Sequence, residues 1–216
     1  MNGSCIPKIG ERVEIATRYV KKCNRLLDVG CGEGDIAYFL KGKASKIYGI
    51  DNSKASLERA NEKGIITKYS DLNQGKIPFQ DSYFDVITCL DVIEHIKDPI
   101  NLIAEIRRVL KNGGHIILSA PNIRFSNHLF KLVIRGHFPT TSEDKSAYEG
   151  GHIHYFTFSD LRGILEKGGF RITLEKGIIN RLKRGIKGRI AEKILGKKFM
   201  REFRSPGILI VARKKS

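Results

Sequence analysis

Four short apolar, β-rich runs recur in the first part of the chain: 25–29 (RLLDV), 46–50 (KIYGI), 84–90 (FDVITCL) and 115–120 (HIILSA), each bounded by turn formers. Runs of this length and near-continuous apolarity predict strands buried on both faces of a parallel sheet. The stretches between them carry helical punctuation. A helix is expected over Asp35 to Leu40; Ser53 can cap another that stops at Gly64. Asp98 before Pro99 starts a third, with Leu102, Ile103, Ile106 and Leu110 on one side and a stop at Gly113-Gly114. Strand and helix alternate, which predicts an α/β fold with a mainly parallel sheet.

The regularity fails after Pro121, and the stretch 122–156 is expected to form a lid or acceptor region. Order returns at Ser159, a candidate cap for a helix carrying Leu161, Ile164 and Leu165 and ending at Gly168-Gly169. Strands are expected at 170–175 and 207–213 (GILIVAR), separated by the basic segment 181–204. The 216 residues fit a single domain, 1–216, with 24–121 as the cofactor-binding half and 122–216 as the acceptor half.

Composition narrows the function classes. Apolar residues make up 41% and charged residues 29%, ordinary for a soluble globular protein, and no apolar run reaches the roughly 18 residues of a membrane-crossing helix. The start, MNGSCIPKIGER, lacks the layout of a secretory leader, so the expected compartment is the cytoplasm. Cys5, Cys23, Cys31 and Cys89 are scattered and read as free thiols, with no zinc-ligand spacing. The net charge of +16 implies anionic partners, either a nucleic acid or an anionic membrane face.

The chemistry centres on the turn after the first strand, Gly30-Cys31-Gly32-Glu33-Gly34. A glycine-rich turn at a strand's carboxyl end is where open α/β sheets bind ligands, because a side chain there would block close approach. The dinucleotide fingerprint G-x-G-x-x-G does not fit: the third glycine falls one place early, at Gly34, and Asp35 would repel a pyrophosphate. An acidic strand end such as Asp28 suits a ligand carrying a sulfonium and an ammonium, so the charge pattern favours S-adenosylmethionine over NAD.

Over 24–121 the chain resembles the class I S-adenosylmethionine-dependent methyltransferases. LLDVGCGEG is similar to their first motif, YGID to the second, and SDLNQGKIPFQDSYFDVITCLDVIEHIKDP to those that follow. The resemblance implies a Rossmann-like, doubly wound, seven-stranded sheet whose last strand is inserted antiparallel. It also implies S-adenosylmethionine as cofactor, held by Gly30, Cys31, Gly32 and Gly34 of the loop, with Asp28 below it, Asp51 on the ribose hydroxyls and Asn52 beside it. Asp71 and Leu72 would contact the adenine, and Leu90 and Asp91 would line the far side. A capping or turn role is the plain alternative for Asp51 and Asp71, and Gly113-Gly114 is read as a helix end.

Methyl transfer from a sulfonium is an in-line displacement, so alignment and exclusion of water are the main tasks. Glu94, His95 and His154 are the candidate bases for an acceptor that must lose a proton. The spacing D-x-x-E-H from Asp91, with His152 or His154 downstream, is similar to the metal-binding E-x-x-E-H of ubiquinone-pathway O-methyltransferases and small-RNA 2′-O-methyltransferases. Asp91 replaces the first glutamate, and V-x-E-H also occurs in metal-free relatives, so no metal is assigned. His115, His128 and His137 receive no chemical role.

The acceptor is expected to be a small molecule or a lipid- or glycan-linked one. Segment 181–204 holds ten Lys or Arg against Glu192 and Glu202, with Leu182, Ile186, Ile190 and Ile194 every four residues. That pattern fits a helix on an anionic membrane surface and equally a helix packed on the domain; Gly185 and Gly188 weaken it. RNA is disfavoured because no aromatics interleave with the cations before Phe199. Three alternatives stay open: an RNA methyltransferase, a silent partner protein similar to the methyltransferase-like proteins of methionine biosynthesis, and an NAD-dependent oxidoreductase.

Overall fold

A computed structural model describes residues 9–40, 42–138, 151–178 and 196–215. Seven strands form one sheet: β1 (Cys23–Val29), β2 (Ala44–Asp51), β3 (Ile66–Tyr69), β4 (Phe84–Leu90), β5 (Leu110–Pro121), β6 (Phe170–Ile178) and β7 (Gly207–Lys214). Their spatial order is β3-β2-β1-β4-β5-β7-β6. Pairing is parallel from β3 through β5, while β7 runs antiparallel to both β5 and β6. The doubly wound sheet and its inserted antiparallel strand match expectation.

The near-continuous apolarity of the strands follows from burial on both sides. Adjacent residues alternate between two core layers: Leu27, Ile87, Ile116 and Ile208 face one, and Leu26, Val86, Ile117 and Leu209 the other. The first layer is covered by α4 (Pro99–Val109) through Ile103 and Ile106, and by α6 (Phe158–Lys167) through Leu161 and Leu165. The second is covered by α1 (Ile9–Thr17) through Ala16, α2 (Ile36–Phe39) through Ile36 and α3 (Lys54–Glu62) through Leu57 and Ala60.

Local signals set most boundaries. Ser53 caps α3 by accepting from the Ser56 N–H, and Asp98 caps α4 by accepting from Asn101 with Pro99 in the first turn. Two boundaries differ from expectation. Helix α4 ends at Val109, because Leu110 already adopts extended geometry and pairs with Phe84; Gly113 and Gly114 therefore lie inside β5 rather than at the helix end. Helix α6 is capped by Thr157, not Ser159, through a reciprocal box with Asp160.

Further elements emerge where no signal was read: the short edge strand β3, helix α1, and α5 (Ser126–Arg135) inside the stretch taken as irregular. Residues 196–204, the end of the basic segment, are helical (α7) and packed on the domain. Asn122 Nδ2 donates to the Glu202 and Ser205 carbonyls (2.7 and 2.8 Å), Arg124 pairs with buried Glu202, and Arg201 pairs with Glu175 at 2.6 Å. The apolar stripe from Leu182 to Ile194, Cys5 and residues 139–150 lie outside the described residues. Among the described residues, no helix is long and apolar enough to cross a membrane.

Candidate functional site

At the carboxyl edge of β1 the chain turns through Gly30, Gly32 and Gly34, all with positive φ (70°, 49° and 80°). The glycines have different reasons to be glycine. A Cβ on Gly30 would lie 2.4 Å from Val92 Cγ2, and one on Gly34 would lie 2.9 Å from the Ala60 backbone. A Cβ on Gly32 would meet nothing within 4 Å, so its surface faces open space beside the loop. Cys31 is buried, its Sγ packed where a side chain on Gly49 would otherwise lie.

Asp51, ending β2, stitches this loop in place. Its Oδ2 accepts from the Gly32 N–H (3.0 Å) and its Oδ1 from the Ser53 N–H (2.9 Å). Asn52 beside it is exposed. The Ser70 N–H donates to the Asp51 carbonyl, which brings the following residue, Asp71, to the same edge. Asp71 there caps a short 3-10 turn, Leu72–Gln74, through the Asn73 N–H (3.0 Å) and Gln74 Nε2 (3.1 Å). The capping alternative thus describes Asp71's bonds within the protein.

Beneath the loop, Asp28 is buried and accepts from Thr88 Oγ1 at 2.7 Å. Burial, aided by the neighbouring Asp51, outweighs that bond and pushes its carboxyl up to about 7. Past half-buried Leu90, Asp91 sits at φ 55° and is held from two sides, by Ser119 Oγ (2.9 Å) and by the Arg12 guanidinium (2.6 Å). Arg12 comes from α1, so this helix reaches over the carboxyl edge of the sheet. A lone arginine ahead of the first strand carries no motif, and both Arg12 and Ser119 escaped the sequence reading.

Glu94 and the histidines form the next layer. Glu94 is 1% exposed; burial, then Asp91, drives its carboxyl well above the usual range. Its main-chain carbonyl accepts from the Ile153 and His154 N–H groups, tying segment 151–156 to this turn. The structure brings His95 against His152, ring centroids 4.5 Å apart, and His95 Nδ1 bonds the Gly151 carbonyl at 2.7 Å. One ligand atom each of Glu94, His95 and His152 lies within 4.8 Å of the others, an arrangement that fits a divalent cation. His154 is outside that trio and packs near Phe156.

Four of the seven buried side-chain polar atoms without a hydrogen-bond partner among the described residues belong here: Arg12 Nε, both Glu94 oxygens and His154 Nε2. Buried polar groups are ordinarily satisfied, so an excess of them at one edge suits a polar ligand. A cationic donor for a carboxylate (Arg12), a carboxylate at a strand end (Asp51), an open glycine surface (Gly32) and a buried acid (Asp28) together fit an amino-acid sulfonium nucleoside.

Comparison with known proteins agrees with this geometry. Residues 8–175 match the family described as methyltransferase domain. A ubiquinone biosynthesis O-methyltransferase of Alkalilimnicola ehrlichii is 33% identical over 126 residues, 53% of this chain and 51% of that protein. The chain spans about half the length of the curated relatives it matches. Among solved structures, a SAM-dependent methyltransferase from Archaeoglobus fulgidus superposes with a TM-score of 0.67 at 22% identity, covering 95% of this chain and 93% of that one. The [4+2]-cyclase SpnF shares the fold as well (TM-score 0.64, 22% identity, 95% and 81% covered). On the match over residues 8–175 and the seven-stranded sheet with its inserted strand, the chain belongs to the class I S-adenosylmethionine-dependent methyltransferase family, whose cofactor is S-adenosylmethionine.

Proposed function

We propose that this chain transfers the methyl group of S-adenosylmethionine to an oxygen of a small, lipid-associated acceptor at the cytoplasmic face of a membrane. The cofactor supplies an electrophilic methyl on a sulfonium: the acceptor oxygen forms the new C–O bond, the C–S bond breaks, and the thioether leaves with the electron pair. Asp51 holds the ribose hydroxyls, Gly30, Cys31, Gly32 and Gly34 lie against the methionine and ribose portions, and Arg12 takes the carboxylate. Asp28 offsets the cationic charge from below, while Asn52, Asp71, Leu72, Leu90 and Asp91 border the nucleoside.

The observation that carries the reading is the buried Glu94 carboxyl, whose oxygens have no hydrogen-bond partner among the described residues and whose Oε1 lies 3.9 Å from His152 Nε2, with His95 and His154 at the same edge. Burial raises the proton affinity of this carboxyl, which strengthens it as a base toward a hydroxyl proton when it is ionised. Glu94 receives that proton directly or through His95 or His154. A cation held by Glu94, His95 and His152 would lower the hydroxyl's pKa instead.

The lipid-associated acceptor rests on α5, whose outward face is apolar: Phe130, Val133 and Ile134 are 49%, 74% and 67% exposed. This helix leaves β5 at the carboxyl edge, so a membrane beneath it would present an acceptor on the side where the site opens. The relatives' name, ubiquinone biosynthesis O-methyltransferase, points to the same class of acceptor.

The test is methyl transfer from labelled S-adenosylmethionine to a panel of catechols with and without prenyl tails, with and without added magnesium. Turnover that favours tailed phenols and falls at least about a hundredfold in Glu94→Gln is expected. Binding of S-adenosylhomocysteine with no turnover on any hydroxylated acceptor would overturn the reading.

A further inference from the structure

At the edge of the sheet opposite the glycine loop, the amino-terminal ends of β1, β2, β4 and β5 border an open cavity of about 760 Å³, within the size range of small-molecule sites. Ligands of open α/β sheets sit at the carboxyl edge, so nothing in the reading above uses this space. Its walls carry Lys21, Lys22, Lys43, Lys111 and His115 against a single acid, Asp85.

Asp85 is already committed to the protein. Its Oδ2 accepts from the Asn24 and Arg25 N–H groups (3.0 and 2.8 Å), and its Oδ1 takes Lys111 Nζ at 2.5 Å. Although burial pushes the carboxyl up, those bonds hold it below the usual carboxylate range. One acid therefore neutralises one lysine. Lys43 Nζ is positioned by the Thr17 carbonyl (2.7 Å), and Lys21 and Lys22 are exposed.

Arg213 adds to the field from β7, where its Nε donates to the Gly113 carbonyl on the cavity's rim (2.9 Å). His115 registers the result: burial, then Lys21 and Arg213, lower its pKa, and its buried Nε2 has no hydrogen-bond partner among the described residues. Concave walls of one charge sign focus the potential and concentrate counter-ions of the other. No aromatic ring lines the cavity, which removes the stacking platform that a nucleobase would need. Recognition must rest on charge.

We propose that this cavity is a second ligand site, for a compact, multiply charged phosphate such as pyrophosphate or a phosphate monoester. The phosphate oxygens would accept from Lys21, Lys22 and Lys43, and the added negative charge would favour protonated His115.

The experiment is calorimetric titration of the full chain with inorganic pyrophosphate, in parallel with Lys21→Ala/Lys22→Ala, both lysines being exposed. Saturable one-site binding is expected, about tenfold weaker in the double variant, with S-adenosylhomocysteine affinity equal in the two proteins. In the wild-type chain alone, pyrophosphate should move the His115 imidazole titration to higher pH. No saturable binding, equal affinity in the variant, or an unmoved His115 resonance would overturn the proposal. So would a single-stranded RNA that binds more tightly than pyrophosphate and loses that binding in the variant.

Discussion

Among single residues, Asp51 does most to join loop to sheet, since its two oxygens hold Gly32 and Ser53. Replacing it with alanine removes both bonds and the ribose contact, and calorimetry should show S-adenosylhomocysteine affinity falling roughly ten- to a hundredfold. Gly30→Ala meets a positive φ and Val92 at 2.4 Å, and should cost about 3 kcal/mol of unfolding free energy in urea titration. Asp28 gives a pH signature. Its folded pKa of about 7 lies above the ordinary 3.8, so between those values the folded state binds the extra proton and stability declines as pH rises. Asp28→Asn should therefore raise the melting temperature at pH 8 and leave it nearly unchanged at pH 4. These residues were legible because glycines and strand-end acids come in a spaced pattern. Arg12 was not, because its partner Asp91 is 79 positions away and only the fold joins them.

The elements were legible where caps and periodicity agreed. Asp98-Pro99 and Ser53 gave the starts of α4 and α3, while Ser159 misled because Thr157, two residues earlier, completes a box with Asp160. Thr157→Ala should lower stability by about 1 kcal/mol in thermal or urea unfolding. Strand β3 was invisible for a physical reason: it is four residues long, lies at the edge, and exposes Ile66 and Tyr69. Helix α5 was missed because its apolar residues point outward, with only His128 of the helix fully buried, so no core-facing stripe exists to be read. If that face meets lipid, Val133→Lys/Ile134→Lys should weaken sedimentation with vesicles containing phosphatidylglycerol by at least about tenfold. S-adenosylhomocysteine binding should be unchanged.

For the molecule as a whole, the charge of +16 sets the reach of its field. Because exposed charges are screened beyond about 8 Å at physiological ionic strength, any vesicle association should fall steeply between low salt and 0.5 M salt if lysines and arginines provide the attraction, and little if α5 alone does. The fold class could be read along the chain, with the helix after Ser159 and strands β6 and β7 in the second half included; what could not be read there is α5 and the placing of α7, which depends on contacts such as Asn122 with Glu202 and Ser205. The position of β7 has a further consequence for how the protein is made. This strand is the seventh in chain order, yet it supplies the only strand partner of β6 among the described residues and a neighbour of β5. A ribosome therefore releases β1 to β6 as an unfinished sheet, with β5 and β6 unpaired along the sides that β7 fills, until residues 207–214 emerge. Stalling before that point should leave a nascent chain that is sensitive to proteases and recruits chaperones, however complete its cofactor loop already is.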